Sequence, residues 1–277
     1  MERSASTPGD LRVLFLGCGD LGTGAAHRVH RAGMRVAVVE LAIPLAVRRC
    51  AAFAEAARAG EVVIDGVRCL RLPLEELRPP GPPPGAVTLT LASIEAAVEV
   101  FAPHAVVDAR MAKRLLPPPL PRSLLRIALG PGHTAGDDCD AVVETLRGPS
   151  LGAVLWRGAA TADTGQPGGV GGETTGRVLR APVAGTLRLT VQPGSRVRAG
   201  EAVGNVAGTP VRAAITGMVR GLLADGDAVL AGQKLGDIDP RAEPPPLDSI
   251  SDKARVIGEG VLTALREGLR GASLPPP

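Results

Sequence analysis

The chain has 277 residues, 31 basic against 28 acidic side chains, a formal net charge of +3, and 45% apolar but only 1% aromatic residues. This is the composition of a folded chain with a core of Val, Leu, Ile and Ala, and the scarcity of rings argues against a base-stacking nucleic-acid platform. Scattered arginines, no apolar run of membrane-spanning length and no apolar core in residues 1–10 predict a cytoplasmic protein that engages neither nucleic acid nor membrane.

Arg12–Leu16 reads as a buried strand, followed by Gly17-Cys18-Gly19-Asp20-Leu21-Gly22 and a helix to about Ala32 with Leu21, Ala25, Val29 and Ala32 on one face. Arg35–Glu40 is a second buried strand, and a helix is expected from Pro44 to about Ala59. Glu61–Ile64 and Val67–Leu72 flank Asp65-Gly66, a hairpin signal. Arg78–Gly85 is a stiff proline loop, Ser93 caps a helix to about Phe101, and Ala105–Asp108 is a strand. Arg126–Leu129 is a further strand that opens into the glycine-rich turn 130–136. The alternation predicts an α/β fold with a Rossmann-like parallel sheet domain over 11–162, helices on both faces.

Residues 163–176 are glycine-rich and read as a linker. Laid against itself, 177–208 matches 209–240 at nine of 32 positions, among them Gly185/Gly217, Gly194/Gly226 and Gly204/Gly236. The match predicts a duplicated all-β module over 177–240 that resembles the barrel-sandwich hybrid of biotinyl and lipoyl domains. Those carriers hold a lysine on the hairpin between the halves. Residues 205–210 have none, so a structural or docking module is expected in place of a swinging arm. A C-terminal helix over 250–270, capped by Ser251, carries the stripe Ile257, Val261, Leu265 and Leu269 and is expected to pack on the first domain. Gly258 and Gly260 within it imply close packing or a nearby ligand.

Gly17-x-Gly19-x-x-Gly22 stands between a strand and a helix, the context in which such glycines cradle a phosphate on helix N-terminal amides. Asp20 lies inside that turn, and Glu40 ends the second strand, where a carboxylate binds a ribose diol. Cys18 is either a thiol activated by the helix dipole or a small space-filling side chain. Arg48 and Arg49 are candidate phosphate clamps, and Gly130, Gly132 and Gly136 form a second candidate cradle. Asp108 at a strand end and Lys113, the sole lysine before position 234, are candidate catalytic groups. His133, Asp137, Asp138, Cys139 and Asp140 cluster in sequence without a standard ligand spacing, so no metal is expected. The four cysteines include no CxxC pair, so neither a disulfide nor a zinc framework is predicted.

Several of these runs, in order, resemble the YqeB-type family of accessory proteins of selenium-dependent molybdenum hydroxylases. They are Gly19-Asp20-Leu21-Gly22-Thr23-Gly24, Glu40 with Pro44–Arg49, Val107-Asp108-Ala109 with Met111–Arg114, Gly130-Pro131-Gly132, Gly236–Arg241 and Ser251–Arg255. The resemblance covers nearly all of 11–265. It implies a maturation role for a xanthine-dehydrogenase-like enzyme, with that hydroxylase or its maturation proteins as partners. It also implies a phosphorylated cofactor, molybdopterin cytosine dinucleotide or NAD(P), in the glycine cleft. The family commonly has Ala or Gly at Cys18 and His at Asp140 and Pro149. The chain is too small and too poor in cysteine to be the hydroxylase itself. Two rival readings stay open from the residues: an NAD(P)-dependent oxidoreductase and a non-catalytic docking scaffold.

Overall fold

In the computed structural model, which describes residues 11–79, 85–111, 120–163 and 169–270, the apolar run β1 (Arg12–Leu16) lies in the interior of a nine-stranded sheet. Val13 and Phe15 face one side and Leu14 and Leu16 the other, and all four are buried, as a strand covered on both faces requires. After β1 come α1 (Asp20–Arg31), β2 (Arg35–Val39), a one-turn α2 (Ala56–Ala59), β3 (Glu61–Ile64), β4 (Val67–Arg71) and β5 (Ala86–Thr90). Then follow α3 (Ile94–Phe101), β6 (Ala105–Asp108), β7 (Leu125–Leu129), β8 (Thr134–Ala135), β9 (Ala141–Val143), β10 (Val154–Leu155) and β11 (Gly158–Ala159). The sheet order is β10-β9-β7-β6-β1-β2-β5-β4-β3, with β8 and β11 forming a separate two-stranded ribbon.

The remaining strands are β12 (Val178–Arg180), β13 (Gly185–Leu189), β14 (Arg196–Val197), β15 (Ala202–Val206), β16 (Thr209–Arg212), β17 (Gly217–Leu222), β18 (Ala228–Val229) and β19 (Lys234–Asp239). They form two four-stranded antiparallel sheets, β12-β19-β17-β14 and β16-β15-β13-β18. Leu179, Leu187, Val203, Val219, Leu235 and Ile238 fill the core there. The last described element is α4 (Asp252–Arg270).

This topology corrects the expected Rossmann-like parallel sheet followed by a duplicated barrel-sandwich hybrid. The large sheet is mixed. β3 and β4 are joined by a two-residue turn, with Asp65 at φ 44 and Gly66 at φ 76, and such a short link forces an antiparallel pair. At the other edge β10 runs antiparallel to β9. Nor do the two copies of the repeat make one barrel: each small sheet takes two strands from each copy.

The helix expected from Pro44 to Ala59 is largely absent. Short 3-10 turns, Arg49–Ala51 and Phe53–Glu55, precede the four residues of α2. The cause is tertiary. Val47 O accepts the Leu222 N–H of β17 at 2.8 Å, and a side chain at Gly221 would lie 2.8 Å from Val47 O. That long-range hydrogen bond and close approach compete with helical bonding across 45–52 and win.

The chain divides into two units. One holds Met1–Pro44, Phe53–Asp163 and Ile250–Pro277, and the other Leu45–Ala52 and Thr164–Ser249. In the first, α4 packs along α1. A side chain at Gly24 would meet Ala254 Cβ at 2.6 Å, and one at Gly258 would meet Gly24 O at 2.8 Å. Gly258 therefore serves backbone contact, as does Gly260 against Gly152 O. Ile257, Val261, Leu262 and Leu265 are buried, each contributing about 1.5–3 kcal/mol relative to an exposed side chain. No helix among the described residues is long and apolar enough to cross a membrane.

Candidate functional site

The Gly17–Gly22 turn leaves the C-terminal end of β1 and opens α1. Gly17 takes φ +76, and a side chain there would press on Arg110 Cγ at 3.2 Å. At Gly22 a side chain would lie 2.9 Å from Gly17 O and 3.1 Å from Ala109 Cβ, so glycine lets α1 rest on the turn. Gly19 is the N-cap and differs from both, because no described atom lies within 4 Å of where its Cβ would be. The first turn of a helix leaves N–H groups unpaired and concentrates the positive end of its dipole, so the space beside Gly19 favours an anion. Asp20, the first residue of α1, is the acidic group in that turn.

Glu40 has its own role in this turn. Its Oε2 accepts the Cys18 N–H at 2.8 Å and its Oε1 accepts the Leu41 N–H at 2.9 Å. The carboxylate thus fixes the glycine turn from below, and each oxygen already has one donor. Cys18 is fully buried, and burial pushes its thiol pKa well up, with Cys69 and Glu40 adding to the effect. The structure therefore gives Cys18 the space-filling role and not that of an activated thiol. Thr23, also buried, ties the turn down by donating to Cys18 O at 2.9 Å and accepting the Phe53 N–H at 2.9 Å.

The N-terminus of α4 lies beside that of α1. The order of contacts, Gly24 to Ala254 and then Arg28 to Glu259 at 2.5 Å, shows that the two helices run in the same direction. Their dipoles therefore add at one end. Ser251 Oγ accepts the Ala254 N–H at 3.2 Å as a cap. Arg147 reaches Asp252 with two bonds, 2.9 and 3.0 Å. Next to it stands Lys253, half-buried and without a salt-bridge partner among the described residues. Burial, then the charge of Arg147, pull the Lys253 pKa down, against the opposing pull of Asp20, Glu144 and Asp252. Glu144 anchors the loop beneath. It accepts N–H groups from Thr145 (2.7 Å), Leu146 (2.7 Å) and Thr161 (2.8 Å). Burial raises its pKa, but those bonds outweigh burial and hold it below the ordinary value.

Other predicted residues fall elsewhere. Arg48 and Arg49 belong to the second unit, where they donate to Ser249 O (3.0 Å) and Leu222 O (3.1 Å). They stand on the broken helix described above, not on the first turn of a regular one. Lys113 and Arg114 lie outside the described residues, as do parts of the 78–85 loop and the 163–176 linker. Asp108, 7% exposed, is bound by Arg110 through Nε (3.0 Å) and Nη2 (2.5 Å). Gly130, at φ +68, is packed: a side chain there would strike Thr145 Oγ1 and lie 3.1 Å from Met111 Cε. Gly132 and Gly136 take φ 107 and 98, bending the loop back on itself. The second glycine turn is thus a tight scaffold, and it presents His133, Asp138 and Cys139 to a small pocket whose lining includes Asp108 and Arg126.

Sequence reading passed over Lys253, Arg147 and Arg110 as functional groups. The signal that singled out Lys113, a lysine in a chain that otherwise uses arginine, applies equally to Lys253, two residues after its Ser251 cap.

No family model matches the chain. It is 41% identical over 265 residues to the Escherichia coli (strain K12) protein named "Uncharacterized protein YqeB", a match covering 96% of this chain and 49% of that protein. The chain therefore spans about half the length of that relative. Among solved structures, an aspartoacylase family protein from Mesorhizobium loti aligns at 14% identity over 84% of this chain and 86% of that one, with a TM-score of 0.28. A succinylglutamate desuccinylase/aspartoacylase from Rhodobacter sphaeroides aligns at 15% identity over 83% and 86%, with a TM-score of 0.25. At these scores neither neighbour bears on the chemistry of the site.

Proposed function

We propose that the chain is an accessory protein of a selenium-dependent molybdenum hydroxylase and holds a phosphorylated cofactor at the Gly17–Gly22 turn. One observation carries the binding reading. An open helix N-terminus at Gly19 adjoins a second, parallel helix N-terminus that bears the half-buried Lys253 beside Arg147. A phosphate relieves the repulsion between Lys253 and Arg147 and satisfies both helix ends. The hydroxylase assignment draws on the family resemblance of the residue runs.

The ligand class is molybdopterin cytosine dinucleotide or a nicotinamide nucleotide, both of which present phosphate. Because Glu40 already accepts two amides, recognition centres on phosphate more than on the ribose diol. Equilibrium dialysis of the full chain against NAD, NADP, CTP and molybdopterin cytosine dinucleotide tests this. Submillimolar binding of at least one, weakening as salt is raised, is the expected result. If all four bind no tighter than millimolar, the cofactor reading is wrong. Recovery of a hydroxylase subunit with the chain from its host supports the accessory role, and native mass spectrometry showing neither subunit nor cofactor removes it.

A further inference from the structure

The acidic pocket behind the second glycine turn has no part in the phosphate reading. His133 is 5% exposed, and its Nε2 is buried without a hydrogen-bond partner among the described residues. A buried imidazole with an unpartnered nitrogen costs free energy, so the ring is held here at a cost that its own hydrogen bonds do not offset. Asp108 Oδ2 stands 3.7 Å from it, too far for a bond. On the other side of the ring, Nδ1 lies 3.4 Å from Asp138 Oδ1. One donor atom each from His133, Asp138 and Cys139 falls within 4.8 Å of the other two.

The loop holds these three groups in place. Both carboxylate oxygens of Asp138 accept the Thr134 N–H, at 3.0 and 3.1 Å, and Gly136 N–H donates to Cys139 O at 2.9 Å. The nearby cations are already balanced: Arg110 is paired with Asp108, and Arg126 with Asp140 at 3.3 Å. The charge left to the pocket is that of Asp138 and, as a thiolate, Cys139, which together equal one divalent cation.

We propose that His133, Asp138 and Cys139 bind a divalent transition metal of the zinc class, with the open side of the pocket as a fourth coordination position. Imidazole, thiolate and carboxylate together suit zinc or a similar borderline metal, whereas magnesium and calcium take oxygen ligands. Three protein ligands and an open position are the pattern of a reactive metal centre, not a closed structural one. Coordination through Nδ1 leaves Nε2–H facing the Asp108 carboxylate at 3.7 Å, so Asp108 acts on the ring by charge, as a positioning residue. The adjacency of Asp138 and Cys139 departs from the usual spacings, which is why the sequence alone points away from a metal.

The test uses the full chain, stripped with chelator and titrated with cobalt(II). One equivalent is expected to bind, with a thiolate-to-cobalt absorption in the near ultraviolet that zinc abolishes. Cys139→Ser should lose that band, and Asp108→Asn should weaken cobalt binding by about tenfold while keeping the band. Absence of stoichiometric cobalt binding in the unaltered chain overturns the proposal. So does a band that survives Cys139→Ser and disappears in Cys50→Ser, since Cys50 is the exposed thiol. If Cys139→Ser does not fold, X-ray absorption at the zinc edge of the unaltered chain decides. One sulfur in the first shell supports the site, and a shell of nitrogen and oxygen alone overturns it.

Discussion

Two glycine turns leave the same sheet, one after β1 and one after β7, with β6 between those strands. Both break a buried strand with a positive-φ glycine, Gly17 and Gly130. Their surroundings differ. The first ends at an open N-cap with Lys253 and Arg147 nearby, and its carboxylate, Glu40, is turned inward to hold the backbone. The second is filled by Thr145 and Met111 and directs His133, Asp138 and Cys139 into a pocket that Asp108 also lines. A glycine pattern therefore specifies a sharp backbone turn. Whether that turn attracts an anion or a cation is decided by the side chains that other elements bring to it.

Four substitutions sharpen that contrast. The largest effect is expected from Gly24→Val, which forces a side chain into Ala254, 2.6 Å from where its Cβ would lie, and costs about 3 kcal/mol through overpacking. Urea unfolding measures this loss, and a change below about 1 kcal/mol would show that α1 and α4 separate easily. Gly19→Val, only five residues away, should lower the urea midpoint only slightly, through the poorer N-cap, and reduce nucleotide affinity by at least about a hundredfold, or 2.7 kcal/mol. Equal affinity in wild type and variant would mean that the open space beside Gly19 receives no ligand.

Glu144→Gln should cost about 2 kcal/mol, because three backbone N–H groups lose a charged acceptor. The folded-state pKa of Glu144 is depressed, so its contribution is complete above the unfolded value of about 4.3 and is lost as pH falls below it. Unfolding free energies of the two proteins should therefore converge on acidification, and a gap that persists to low pH contradicts this account. Lys253→Ala has the smallest effect, a loss of about tenfold in nucleotide affinity with little change in stability. Loss of fold in that variant would make Lys253 a structural group.

Much of the local structure was legible. Arg12–Leu16 and Ala105–Asp108 read as strands because their apolar runs are short, and the Asp65-Gly66 hairpin because its turn type suits that pair. Ser93 is also the cap expected of it, accepting the Ala96 N–H at 3.2 Å. What failed did so for long-range reasons. The Ala-rich segment after Pro44 has helical propensity, but β17, more than 160 residues later, takes its Val47 carbonyl. Strand β5 lies immediately after a proline loop and was hidden by it. At the site, the three glycines of the first turn could be read from spacing. The direction of the Cys18 pKa shift could not, because it depends on burial by residues distant in sequence. Lys253 carried the same lone-lysine signal as Lys113, but its place at the paired helix ends depends on α4 lying beside α1.

The chain of the first unit is interrupted: 53–163 and 250–277 belong to it, while 164–249 belong to the other. On the ribosome, the second unit is complete before α4 has been made. The large sheet must then wait with the surface that Ile257, Val261 and Leu265 will cover still bare. Its final folding is tied to the synthesis of α4, so premature termination anywhere before α4 leaves a product with a sticky apolar face instead of a shortened but sound protein.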